Sequence, residues 1–202
     1  MTPSFKWKSK KDESRLVSPD PQAGEFRLND NSTTADWPDF RGPGRRGIAP
    51  EQGVDLDWKN ELDTVWRKPI GQGHSSVIIA GNHLYTLEQQ DEFEVLTCCS
   101  MMDGSVIWNH QTKDRWNDSM GGPGPRSTPV FSNGKIFYLS SSGKLTCLDA
   151  ATGEIGWEQA TLGPDYEYPH WGIACSPLVI DDLIIVSPGG KAGAVKAYDV
   201  TT

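Results

Sequence analysis

Four residues bring chemistry-capable side chains out of loops: Arg126, His74, His170 and Trp171. Arg126 ends the run 111–126 and is followed by Ser-Thr-Pro. A guanidinium there can pair with a carboxylate in bidentate geometry. His74 or His170 can act as a base or a metal ligand near neutral pH. Trp171 shares the run 161–175 with Tyr166 and Tyr168, and Trp116 stands in 111–126. The purely structural alternative is that Arg126 ties down its own loop and the aromatics pack it. No spacing of His, Cys, Asp or Glu forms a metal site, and no complete catalytic set emerges. Pro188-Gly189-Gly190-Lys191 has the flavour of a phosphate loop, but no Gly stands five positions before Gly190 and no Ser or Thr follows Lys191. It fits a Gly-rich hairpin connection better. There is no Gly-x-Ser-x-Gly elbow, so Ser141 and Ser142 have no claim to be nucleophiles.

The elements that must position these residues are short strands. From Thr64 onward the chain alternates β-branched or aromatic runs with turn residues: 76–79, 83–87, 94–98 and 106–108, then 128–131, 135–139, 144–147 and 155–157. A third set runs 176–180, 183–186 and 194–198. Gly81-Asn82 and Asp103-Gly104 read as two-residue hairpin turns, and Asn133-Gly134 and Ser142-Gly143 hold the turn positions of the second set. No segment reads as a helix. Residues 64–67, ending near Trp66, read as an outer strand borrowed by ring closure. Trp66, Trp108 and Trp157 fall 42 and 49 residues apart, each where the last strand of a four-stranded unit should lie. Antiparallel units repeated at this period are propeller blades, and large rings at fixed positions suit blade-to-blade packing.

The 202-residue chain carries a net charge of -8, which argues against a general binder of nucleic acid or acidic membranes. Residues 1–36 are polar and aperiodic and read as a disordered arm. Residues 37–63 read as an irregular clasp, opening with Trp37-Pro38-Asp39-Phe40-Arg41-Gly42-Pro43. No apolar run is long enough to span a bilayer. Residues 1–21 lack the apolar core of a signal peptide, which by itself points to the cytoplasm unless translation starts upstream. Four cysteines are too few for a disulfide scaffold.

Residues 147–157, Cys-Leu-Asp-Ala-Ala-Thr-Gly-Glu-Ile-Gly-Trp, resemble the tryptophan-docking motif AxDxxTGxxxW of pyrroloquinoline-quinone-type propeller repeats. A worn copy at 98–108 has Ser100 for the Asp and Asp103 for the Thr. A third copy keeps Ala197, Asp199 and Thr202. The motifs at 37–43, 124–129 and 171–177 resemble a bacterial branch of that family whose members are exported and mostly of unassigned function. The resemblance implies an all-β partial β-propeller of four-stranded antiparallel blades, over about 64–108, 109–157 and an incomplete 158–202. It implies a closed ring of seven or eight blades in the whole protein. The third copy stops in mid-turn, so the chain reads as an N-terminal fragment and an open arc. In a propeller, 111–126 and 161–175 lie on the face where ligands enter the central channel.

Quinone-dependent alcohol dehydrogenases carry a disulfide between adjacent cysteines beside the cofactor, which makes Cys98-Cys99 a redox candidate. The repeat alignment puts Cys98 with Cys147 and Ala197 in a small packing slot instead. The leading expectation is a non-catalytic binding or scaffold propeller, with an unknown protein or polysaccharide as partner and no cofactor expected. The resemblance also allows the N-terminal part of a quinone-dependent dehydrogenase. In that case pyrroloquinoline quinone and calcium would bind, Arg126 would meet the quinone carboxylates, and the parent would be exported or periplasmic. No residue here matches the family's calcium ligands. An outer-membrane assembly propeller is the third alternative; it predicts an acylated Cys near the start, where this chain has none.

Overall fold

The computed structural model describes residues 37–49, 63–163, 166–169, 171–189 and 195–201. The expected arm over 1–36, much of the expected clasp, and His170 lie outside the described residues. Two four-stranded antiparallel sheets follow one another, each in simple up-and-down order. The first joins β1 (Ile78–Ala80), β2 (His83–Gln90), β3 (Phe93–Ser100) and β4 (Val106–Thr112). A two-stranded hairpin, β5 (Asn117–Asp118) and β6 (Gly122–Pro123), interrupts the connection. The second sheet joins β7 (Val130–Ser132), β8 (Lys135–Leu139), β9 (Lys144–Asp149) and β10 (Ile155–Ala160). A third sheet holds β11 (Leu178–Ile180), β12 (Leu183–Val186) and β13 (Lys196–Asp199). Pro43–Arg45 forms a 3-10 turn, and no α-helix occurs among the described residues. This is the all-β partial propeller that the repeat period predicts.

Period-two alternation explains why the sheets stack. On β8, Ile136 and Tyr138 enter a core with Tyr85, Leu87, Leu96 and Trp108 of the first sheet. The intervening Phe137 and Leu139 enter a second core with Ile173, Ile184 and Val186. Both faces of the middle sheet are thus buried, and a fully buried large apolar side chain contributes about 1.5–3 kcal/mol. The same alternation separates the adjacent cysteines. Cys98 joins the first core, while Cys99 turns to the face that carries Lys68 and Glu88. Both are buried free thiols, and burial pushes both up from the ordinary thiol range.

The tryptophans dock as the repeats suggest. Trp66, Trp108 and Trp157 each donate their indole N–H to the same carbonyl of the next repeat: Met101 at 2.9 Å, Ala150 at 3.1 Å and Val200 at 3.0 Å. The turn beneath is held by Asp149, whose Oδ1 accepts the amides of Ala151 (3.0 Å) and Thr152 (2.9 Å). In the worn copy Ser100 Oγ accepts the amide of Met102, and Asp103 takes over from the Thr by accepting that of Ser105. Gly153 has φ 75°, and a Cβ there would lie 2.7 Å from the Trp108 ring. Only glycine meets both demands.

Three expectations need correction. Asp103-Gly104 is no two-residue turn: residues 101–105 all lie between β3 and β4, because this wider loop forms the platform on which Trp66 lies. Residues 64–67 form no strand; Trp66 docks without a ladder of its own. The innermost strands begin two residues late, at 78 and 130. Here the backbone turns sideways to the neighbouring repeat. The Ser76 amide donates to Thr128 Oγ1 at 3.0 Å, and the Thr128 amide donates to Ser176 Oγ at 2.9 Å. Equivalent positions in three repeats are thereby linked along the inner rim.

The segment 37–47 crosses that rim. Trp37 exchanges both backbone hydrogen bonds with Ile79 on β1 (2.9 and 2.8 Å). The Pro38 carbonyl accepts the Phe131 amide of β7 at 2.8 Å. Arg45 donates to the carbonyls of Ser176 (3.3 Å) and Pro177, just ahead of β11. Internally, Arg45 grips Asp39 with two hydrogen bonds of 2.8 and 2.9 Å. The strap therefore touches the innermost strand, or its lead-in, of all three sheets.

Candidate functional site

Arg126 is positioned by the β5–β6 hairpin, which the sequence reading missed although Asn117-Asp118 and Gly121-Gly122-Pro123 carry turn residues. Asp118 is the hub. Its carboxylate accepts from the Gly121 amide (2.5 Å), Met120 amide (2.9 Å), Trp116 indole (3.2 Å) and Arg126 Nη2 (2.5 Å). These donors, the Gly121 amide foremost, hold the Asp118 carboxyl well below the usual carboxylate range. A Cβ on Gly121 would come within 2.6 Å of Arg126 Nη2, so glycine there lets the guanidinium seat. Arg126 Nη2 also donates to the Gly122 carbonyl at 2.9 Å. Loop-tying, the structural alternative for Arg126, is thus real, yet it uses only part of the guanidinium. Nη1 is buried and has no partner among the described residues.

Arg126, ahead of β7, lines an open cleft of about 400 Å³ against the third sheet and its lead-in. Phe40 and Arg45 of the strap, Cys175, Val186 and Ser187 line it too. The charged residues among those lining it are Arg45 and Arg126, each ion-paired outside the lining with a carboxylate, Asp39 and Asp118. Cys175 is partly exposed, with the Ser187 amide donating to its sulfur at 3.2 Å. Burial outweighs that bond and raises its thiol.

The other predicted residues do not converge there. The exposed His74 ring hydrogen-bonds the Gly121 carbonyl at 2.8 Å through Nε2, and its amide donates to Pro125. It braces the hairpin and is absent from the cleft lining. Trp171 is 47% exposed and precedes Gly172, on which the Trp116 ring lies. His170 falls outside the described residues. No group of three His, Cys, Asp or Glu able to hold a metal occurs among the described residues.

A buried carboxylate that pattern reading passed over sits between the first two sheets. Glu94, on β3, is 0% exposed and accepts the Ser141 amide at 3.1 Å together with the Ser141 hydroxyl. Asp114 accepts the Ser142 amide at 2.9 Å beside it. Burial overrides the two Ser141 bonds and Asp114 adds repulsion, so the Glu94 carboxyl is pushed up to about 7.

Residues 109–202 match the family model described as outer membrane protein assembly factor BamB. The matched repeats are similar to those of the pyrroloquinoline-quinone type. The dehydrogenase subunit of a quinone alcohol dehydrogenase from Gluconacetobacter polyoxogenes is 23% identical over 158 residues, covering 74% of this chain and 20% of the relative. The 1-butanol dehydrogenase (cytochrome c) of Thauera butanivorans is 38% identical over 72 residues, 34% of this chain and 10% of the relative. Among solved structures, the quinohemoprotein alcohol dehydrogenase of Pseudomonas putida HK5 superposes with a TM-score of 0.64 at 19% identity, over 84% of this chain and 25% of that one. That of Comamonas testosteroni gives 0.58 at 19% identity, over 86% and 27%. The chain spans about a fifth of the length of the quinone alcohol dehydrogenase subunit it matches. Arg126, the hairpin and the third sheet all lie within the matched quinone-type repeats.

Proposed function

We propose that this chain is a binding module of a pyrroloquinoline-quinone-type propeller, and that its Arg126-lined cleft takes a small anionic ligand. One observation carries the reading: Arg126 and Arg45 are the charged residues among those lining the cleft, and Arg126 Nη1 has no partner among the described residues. A guanidinium with unused donors favours carboxylate or phosphate. The test is titration calorimetry of the chain with citrate and with inorganic phosphate. Binding should weaken at least about tenfold in Arg126→Gln, as expected when a charge-assisted hydrogen bond is lost. Equal binding by wild type and variant, or none at millimolar anion, sinks the proposal.

The quinone alcohol dehydrogenase relatives support a second reading, in which the anion is a quinone cofactor. In that reading Arg126 and Arg45 would pair with the carboxylates of pyrroloquinoline quinone. The donor set for calcium is not assembled among the described residues. When bound, such a quinone supplies the electron-accepting chemistry. This chain's part would be to hold its carboxylates at Arg126 and Arg45. Quenching of tryptophan fluorescence by the quinone, lost in Arg126→Gln and seen without any binding of citrate or phosphate, separates this reading from the first.

A further inference from the structure

The loops 111–126 and 161–175 carry a row of aromatic rings that are absent from the cleft lining. Trp116 and Tyr168 lie 5.8 Å apart between ring centroids, and Tyr168 and Tyr166 lie 5.3 Å apart, edge to face. Each ring is tied by its polar end. Trp116 donates to Asp118, Tyr168 to the Ser142 carbonyl at 3.3 Å, and Tyr166 to the Pro188 carbonyl at 2.6 Å. Tyr168 is nevertheless 46% exposed, close to the value for neighbouring Trp171. Tyr168, fixed at its hydroxyl and braced by Tyr166 and Trp116, is already ordered before any ligand arrives, which removes much of the entropy cost of binding.

The charge around the row selects the ligand. Asp114 lies close enough to Tyr168 to help raise its hydroxyl above the ordinary value, after burial, and Glu167 stands between the two tyrosines in the chain. Such a face, on a protein of net charge -8, repels polyanions. Uncharged hydroxyls suit it, since carboxylates accept from them while aromatic faces cover the apolar side of a sugar ring. The geometry points to a binding platform for a neutral polysaccharide, formed by Trp116, Tyr166, Tyr168 and Trp171 and separate from the anion cleft.

Native affinity electrophoresis of the whole chain tests this, in gels holding hydroxyethylcellulose, laminarin or dextran, with alginate as the polyanion. Retardation is expected in at least one neutral glycan and not in alginate. Tyr168→Ala and Trp171→Ala should each weaken it at least tenfold, while Tyr168→Phe retains most of it because the ring stays. Circular dichroism in the near ultraviolet checks that the docked tryptophans of the variants are intact. Millimolar citrate or phosphate in the gel should leave the retardation unchanged, so failure of the anion-cleft reading and failure of this one are distinguishable. No retardation in any neutral glycan overturns the proposal, as does retardation that survives both alanine variants. Binding of denatured casein lost in those variants, without glycan binding, would assign the face to a polypeptide and overturn it too.

Discussion

Replacing Glu94 by Gln should make the chain more stable at pH 8 and change little at pH 4.5. The carboxyl is pushed from an ordinary 4.5 to about 7 in the folded protein, because burial between two sheets outweighs what Ser141 returns. Below pH 4.5 both folded and unfolded states hold the proton, and the group is neutral in its effect. Between 4.5 and 7 the unfolded chain has released it and the folded chain has not, so stability falls as pH rises. Above 7 the folded protein carries a buried anion at a cost on the order of 3 kcal/mol, from about 1.4 kcal/mol per pH unit. Gln mimics the protonated acid: it keeps an oxygen for the Ser141 amide and hydroxyl and places its amide donors near Asp114. Urea unfolding followed by tryptophan fluorescence from pH 4.5 to 8 reads the difference. A gain of about 3 kcal/mol at pH 8 corresponds to roughly 6–12 °C in melting temperature for a chain of this size. A difference that stays constant with pH, or a Gln variant weaker than wild type at pH 8, would refute the argument. Either result would mean that Ser141 holds Glu94 ionised at little cost.

Gly153→Ala combines a left-handed backbone penalty with a Cβ 2.7 Å from the Trp108 ring, and should cost about 2–4 kcal/mol in the same unfolding assay. Gly134→Ala shares the positive φ but has nothing within 4 Å, so it should cost only the backbone part. Of the four thiols, Cys98, Cys99 and Cys147 are buried and Cys175 is partly exposed. A native sample treated with an aromatic disulfide reagent should therefore release one equivalent, rising to four in urea and falling to none in native Cys175→Ser. Two native equivalents at similar rates would contradict the assignment of Cys98 and Cys99 to opposite buried faces.

The fold was legible because its signals are local. Turn residues such as Asn133-Gly134, with φ of 49° and 75°, and indoles at a fixed offset specify hairpins and docking without distant information. The role of Asp149 and Thr152 in holding their turn could be read from the five residues 149–153 alone. What escaped depends on contacts between repeats. Ser76, Thr128 and Ser176 look like ordinary strand starts until the backbone amides are seen turning toward the next sheet. Glu94 reads only as the first residue of the strand 94–98, yet the Ser141 amide, 47 residues on, donates to it. Arg126 was singled out by type, but its hub Asp118 and its strap neighbour Arg45 come from segments with no shared pattern. His74 was singled out for the same reason and serves the hairpin instead, since a lone imidazole carries no sign of which loop it meets.

The strap has a consequence for the order of events during synthesis. Its anchors on Ile79, Phe131 and Ser176 leave the ribosome one after another, and the last lies 131 residues beyond Arg45. At 5–20 residues per second, that interval is on the order of ten seconds. Throughout it, Arg45 has no terminus for its guanidinium except Asp39, and Phe40 has no cleft to line. The nascent chain thus carries an aromatic, cationic hook whose final seat does not yet exist. The three sheets are captured in turn by a segment made before them, so the strap ties each to the others from their N-terminal side.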